Sequence, residues 1–169
     1  MATQTKLMTE REHYLESFER EYQTTLRVLK AYSPDKGSFK FTDRSHTAND
    51  IAWTLTISQM VVEPILVVDK LEPMPNPAPS EFKTILARFE KEHANATSKL
   101  TKLDDGTFNS TLVMPAGPKG ATATVRRADA LWMMLFDTVH HRGQFSVYLR
   151  AAGGKVPSIY GPSGDEPWM

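Results

Sequence analysis

The segment from Arg126 to Ala152 constrains this chain more than any other, because wound into a helix it is apolar on every side. At about 100° per residue, Leu131, Trp132, Met133, Leu135, Phe136, Val139, Phe145, Val147 and Leu149 project in almost all directions. A helix of that kind has to be covered all round, either in the middle of a bundle or between a bundle and a partner. Gly153-Gly154 ends it. Gly143 interrupts it at a cost of ~1 kcal/mol relative to alanine, and close approach of a neighbouring helix is the simplest reason for that glycine.

Three earlier segments carry helix-period apolar spacing. The first spans about Thr9 to Tyr32, with Leu15, Phe18, Tyr22, Leu26 and Leu29 as its stripe, and "SPDKG" (33–37) stops it. The second opens at "HTAND", where Thr47 and Asp50 form a capping box. It runs through Ile51, Leu55, Ser58, Val62 and Ile65, with Pro64 kinking or splitting it. "EPMPNPAPS" (72–80) has prolines at alternate positions and reads as an extended connector. Ser80 is the expected N-cap of the third helix, which carries Phe82, Ile85, Phe89, Ala96 and Leu100. A long irregular connector (104–125) then precedes the fourth helix, with a short strand pair around "TLVM" and "ATATV". Four long helices with little strand signal make an all-α, four-helix bundle. The tail "KVPSIYGPSGDEPW" keeps Val156, Ile159, Tyr160 and Trp168 and is expected to pack back on the body.

A length of 169 residues fits one domain, 1–169. Lys+Arg and Asp+Glu both number 20, so the formal net charge is zero, which argues against nucleic acid or an anionic membrane as partner. No run approaches the ~18 apolar residues of a membrane span, and the N-terminus turns charged where a signal peptide needs its apolar stretch. Cysteine is absent, which removes disulfides and thiolate ligands and suits a cytoplasmic protein. Neither a phosphate-binding glycine loop nor a G-x-S-x-G elbow is present.

The fourth helix also carries a polar stripe. Asp137, His141, Gln144 and Tyr148 fall in one sector roughly 60° wide. Asp137 and His141, four residues apart, bring a carboxylate and an imidazole within reach of one cation. The same spacing equally makes a helix ion pair worth ~0.5 kcal/mol or less. Gln144 and Tyr148 are candidates to hold water or substrate. His140 points about 100° away from His141 and reads as a packed or hydrogen-bonded side chain. Arg142 lies off the stripe, as a salt-bridge or interface residue. His13, His46 and His93 are weak ligand candidates.

"DTVHHRGQFSVYLRAAGGKVPSIYGPS" resembles the C-terminal signature of the DinB-like (DinB/YfiT) superfamily, and "SHTANDIAWTLT" (45–56) resembles its second-helix motif. The resemblance covers nearly the whole chain. It implies a four-helix bundle, often a homodimer, and a divalent metal such as nickel or zinc held by one side chain on the second helix and two on the last. The activities it implies are a metal-dependent hydrolase or a thiol-dependent transferase acting on a small molecule, with a small-molecule substrate or a thiol as partner. His141 and Asp137 stand at the last-helix ligand positions. The second-helix histidine is replaced by Thr54, and threonine is a poor ligand for zinc or nickel. The alternative is therefore a non-catalytic dimeric bundle that has lost its metal and serves as a ligand-binding or interaction module.

Overall fold

Each helix begins and ends where its local chemistry requires. The computed structural model describes residues 7–74, 77–118 and 120–168. Helix α1 (Glu10–Lys30) starts on a complete capping box between Thr9 and Glu12. Helix α2 (Ala48–Met60) starts on a second box between Thr47 and Asp50. Val61 joins it to α3 (Val62–Val67) with helical angles and a bond to the Ile57 carbonyl, and Pro64, which has no N–H to continue the ladder, lies in the first turn of α3. Helix α4 (Phe82–Leu100) is capped by Glu81 rather than Ser80, with no side-chain cap bond. Asn49 anchors its entry instead, its amide donating to the Ser80 carbonyl at 2.8 Å. The 104–125 connector carries the expected strand pair and, before it, a short helix that was not expected. It contains a five-residue helix α5 (Asp105–Asn109), capped by Asp104, and an antiparallel hairpin of β1 (Thr111–Pro115) and β2 (Thr122–Arg126). Helix α6 (Arg127–Ala151) closes on Gly153, whose φ of 84° is the left-handed C-terminal turn.

The four long helices form a ring in which α6 packs on α1 and α2, and α4 packs on α2 and α1. Pairing at both ends fixes the directions. Arg126 at the start of α6 meets Glu10 at the start of α1, and Lys36 beyond the end of α1 donates to the Ala152 carbonyl at the end of α6. These two helices are therefore parallel. α2 and α4 are parallel as well, since Asn49 meets Ser80 at one end and Glu63 meets Lys99 at the other. The segment 68–81 must consequently return along the full length of the bundle. A 20-residue helical run measures about 30 Å, and a proline-rich extended strand of 14 residues reaches about 43 Å at 3.1 Å per residue. That requirement accounts for the proline spacing, although Pro75 and Asn76 lie outside the described residues.

The apolar interior is in two parts. One cluster around Leu29, Leu55, Phe89 and Phe145 fills the end where α1 stops, and the other, around Tyr14, Ile65, Phe108 and Leu131, fills the opposite end. Between them lies a polar belt of Glu21 and Thr25 on α1, Gln59 on α2, His93 on α4, and Thr138 and Arg142 on α6, all buried. The stretch Ala48–Val67 is long and apolar enough to cross a membrane by length and composition alone, but most of it is buried against the other helices. The tail returns as expected at Val156, which is buried, whereas Trp168 is exposed.

Candidate functional site

α2 and α6 run antiparallel, and a groove of about 380 Å³ opens between their ends, lined by Arg44, His46, Ile51, Gln144, Val147 and Tyr148. Tyr148 is buried and donates its hydroxyl to the His46 carbonyl at 2.8 Å, tying the loop before α2 to α6. Thr54 lies one helical turn beyond Ile51 and so falls at the level of the α6 turn that carries His141.

The polar stripe on α6 divides by depth. Asp137 and His141 are half-buried, Gln144 is exposed and Tyr148 is buried. Asp137 and His141 therefore lie partly open to solvent, two turns and one turn before Gln144 on α6 and beyond the residues that line the groove. His141 Nε2 lies 3.4 Å from Asp137 Oδ1, long for a hydrogen bond. Two ligands bound at about 2.0–2.1 Å in tetrahedral geometry stand roughly 3.4 Å apart, so the pair has the spacing of one ligand edge. His141 Nδ1 lies 3.1 Å from Gln144 Oε1, an outer hydrogen bond of the kind that orients a metal-binding imidazole. Gln144 in turn donates from Nε2 to His140 Nε2 at 2.8 Å. His140 is hydrogen-bonded, as expected, but exposed rather than packed.

The third position does not fit a metal. Thr54 donates its hydroxyl to the Asp50 carbonyl at 3.0 Å, and a neutral hydroxyl is a weak substitute for imidazole. Among the described residues no group of three or more His, Asp or Glu side chains is arranged to hold an ion. The chain supplies two adjacent ligands and not the three that catalytic zinc sites normally have.

The other sequence candidates resolve differently. Arg142 makes a buried salt bridge, 2.7 Å from Glu21 Oε2. Tyr160 from the tail completes a triangle with them, its hydroxyl 2.6 Å from each partner. Burial pushes the Glu21 carboxyl up, but the hydrogen bonds from Tyr160 and Arg142 outweigh it and hold the group below its ordinary value. His93 is the hub of a second buried polar cluster. It stacks on Tyr22 with ring centroids 3.4 Å apart, and its nitrogens meet Gln59 at 3.1 Å and Glu19 at 2.9 Å. Burial lowers its pKa, against an opposing pull from Glu19. Sequence reasoning gave Arg142 a salt bridge or interface contact without its partners and took His93 only as a weak ligand candidate, although Glu21 sits three residues beyond Phe18 on the apolar stripe of α1. Gly143 contradicts its expectation. A Cβ built there meets no other atom within 4 Å, so no helix of the same chain approaches it.

The model of the DinB family matches residues 1–168. YrdA of Bacillus subtilis (strain 168) is 24% identical over 159 residues, covering 92% of this chain and 90% of YrdA. A DinB-like protein from Bacillus cereus ATCC 10987 superposes with a TM-score of 0.72 at 22% identity, covering 88% of this chain and 97% of that one. YfiT from Bacillus subtilis superposes with a TM-score of 0.66 at 14% identity, over 90% and 94% of the two chains, and is described as a probable metal-dependent hydrolase with an unusual four-helix bundle topology. At these identities the superpositions speak for the fold alone.

Proposed function

The chain belongs to the DinB family, and from that footing we propose that the groove between α2 and α6 takes up a small molecule together with a weakly held divalent ion, nickel or zinc, on Asp137 and His141. The observation that carries this reading is the 3.4 Å spacing between His141 Nε2 and Asp137 Oδ1, with Gln144 fixing the imidazole. The description of YfiT as a probable metal-dependent hydrolase supports the same class of chemistry. Hydrolysis, or transfer to a thiol, is the reaction class that a bound Lewis acid would serve there. The protein's own part is to hold and orient. Gln144 and Tyr148 offer polar contacts along the groove, and Val147 and Ile51 give it an apolar wall.

The hydrogen bond from Thr54 to Asp50 favours a second reading, in which the bundle has lost its metal and keeps only the ligand groove. Metal titration of tag-free protein separates the two. Under the first reading wild type binds nickel or zinc weakly, Asp137→Ala abolishes binding, and Thr54→His tightens it by more than the roughly 10–100-fold that an outer-shell contact is worth. Under the second, only Thr54→His binds. If neither protein takes up either metal, both readings fail.

A further inference from the structure

The four seams of the helical ring are not equally closed. The α2–α6 seam carries the candidate groove, and on the opposite side of the ring α1 and α4 are the most loosely packed neighbours. A cleft of about 490 Å³ opens between them, within the range for a single small ligand. Its walls are Leu15 and Phe18 from α1 with Thr97 and Thr101 from α4. Both threonine hydroxyls are engaged inside the chain, Thr97 with His93 Nε2 at 3.2 Å and Thr101 with the Thr97 carbonyl at 2.9 Å. Leu15 also lines a neighbouring depression of about 390 Å³ together with Leu7 and Met8, which are 88% and 48% exposed. Apolar surface therefore continues along the N-terminal half of α1, and exposed apolar patches are a feature of binding sites.

The uncommitted charge at the cleft is all negative. Glu16 and Glu19 both line it and stand three residues apart, neighbours on one face of α1, where like charges repel. Glu16 has no hydrogen bond or ion pair among the described residues. Glu19 is fixed in place by Gln23 at 2.8 Å and His93 Nε2 at 2.9 Å, and its side chain remains 50% exposed. Among the described residues no lysine or arginine pairs with either carboxylate. Arg20 is turned toward Ser17 and Glu21, at 3.4 Å from each, and Lys99, between the two threonines, pairs with Glu63 at 3.0 Å.

We propose that this cleft is a ligand site for a small organic cation, a protonated amine held between Glu16 and Glu19 with its hydrocarbon body along Leu15 and Phe18. Charge complementarity selects the head group. A cation between the two carboxylates relieves their repulsion and gains charge-assisted hydrogen bonds, whereas an anion would add to the repulsion. The apolar walls select the body, because a bare inorganic cation leaves them exposed to water. Among the described residues no third acidic or histidine ligand is arranged beside the pair, so a metal ion is not the occupant they favour. Glu19 is ordered by its two hydrogen bonds before any ligand arrives, and an ordered group loses little freedom on binding. The cleft lies on the side of the bundle away from Asp137 and His141 and needs no metal, so neither proposal stands on the other.

Calorimetric titration with octylamine, in buffer containing EDTA, probes the cleft with no metal present. Octylamine should bind wild type at a single site, about tenfold or more tightly than octan-1-ol, which has the same chain without the charge. Octanoate should not compete. Methylamine should bind about tenfold or more weakly than octylamine, because it leaves the apolar walls uncovered. Glu16→Gln should weaken octylamine by roughly three- to tenfold, and Glu16 is exposed and unpaired, so the fold does not depend on it. Thr101→Trp, at an exposed position beside the cleft, should block it and abolish binding while the helical circular dichroism is retained. Absence of octylamine binding, equal affinity for octylamine and octan-1-ol, equal affinity for octylamine and methylamine, or indifference to both substitutions would each overturn the proposal.

Discussion

A buried arginine is retained only when every charge around it is answered, and Arg142 shows how narrowly. It is 1% exposed and reaches Glu21 on α1 and Tyr160 in the tail at once. Replacing it with alanine leaves the Glu21 carboxylate buried with only the Tyr160 hydroxyl and a long, largely exposed contact from Arg20 at 3.4 Å. We expect Arg142→Ala to lower unfolding free energy by about 3–5 kcal/mol in urea titrations, and Tyr160→Phe by about 1 kcal/mol. Similar losses for both would mean that the tail, not the ion pair, dominates the site. At this scale the sequence was legible in kind but not in partner. An arginine off the polar stripe implied a salt bridge, yet nothing in the spacing pointed to a glutamate 121 positions away. His93 was harder still, because a lone histidine on an apolar face looks the same whether it packs or organises a polar cluster. Asp137 and His141 were singled out by their spacing on α6 and Thr54 by a motif, and the same spacing suits an ion pair and a ligand pair alike, with the two groups 3.4 Å apart.

Elements were read most accurately where capping chemistry is local. The Thr47–Asp50 capping box, the division of the second helix near Pro64 and the glycine stop of α6 stand where the sequence placed them, while the equally local Thr9–Glu12 box went unread. Ser80 is not the cap because the helix starts one residue later, with the Thr84 and Ile85 N–H groups bonding the Glu81 carbonyl, while Asn49 holds the Ser80 carbonyl across 31 positions. The short helix α5 was missed since five residues carry too little periodicity. Gly143 is the clearest test of element-scale energetics. With no atom within 4 Å of the missing Cβ, Gly143→Ala should raise the stability of the dilute, unassociated chain by up to ~1 kcal/mol through helix propensity. Thermal unfolding at low protein concentration measures it, and a loss of stability would place a neighbour against α6 that the fold does not show.

At the scale of the whole molecule, the polar belt makes stability depend on pH. His93 has its pKa lowered from 6.5 by burial, so its neutral form is the folded one. Its contribution is complete above 6.5 and declines as pH falls through the lowered value. Glu19 and Glu21 are held below 4.5, so their contribution is complete above 4.5 and lost at lower pH. Denaturation midpoints should therefore fall in two stages on acidification, and His93→Gln should remove the first stage alone. A single-stage profile in wild type would sink this account. Fold class was legible in the sequence because four periodic segments admit few arrangements. Ring order was not, since it is set by contacts between distant helices such as Arg126 with Glu10, 116 positions apart. That ring order bears on biosynthesis. The side of α1 that α6 covers leaves the ribosome with everything from α2 to β2 still to be made before its cover begins at Arg127, and it waits uncovered in the meantime. A nascent chain of this design is a natural client for holdase chaperones, and release of a product truncated before Arg127 would leave that surface bare.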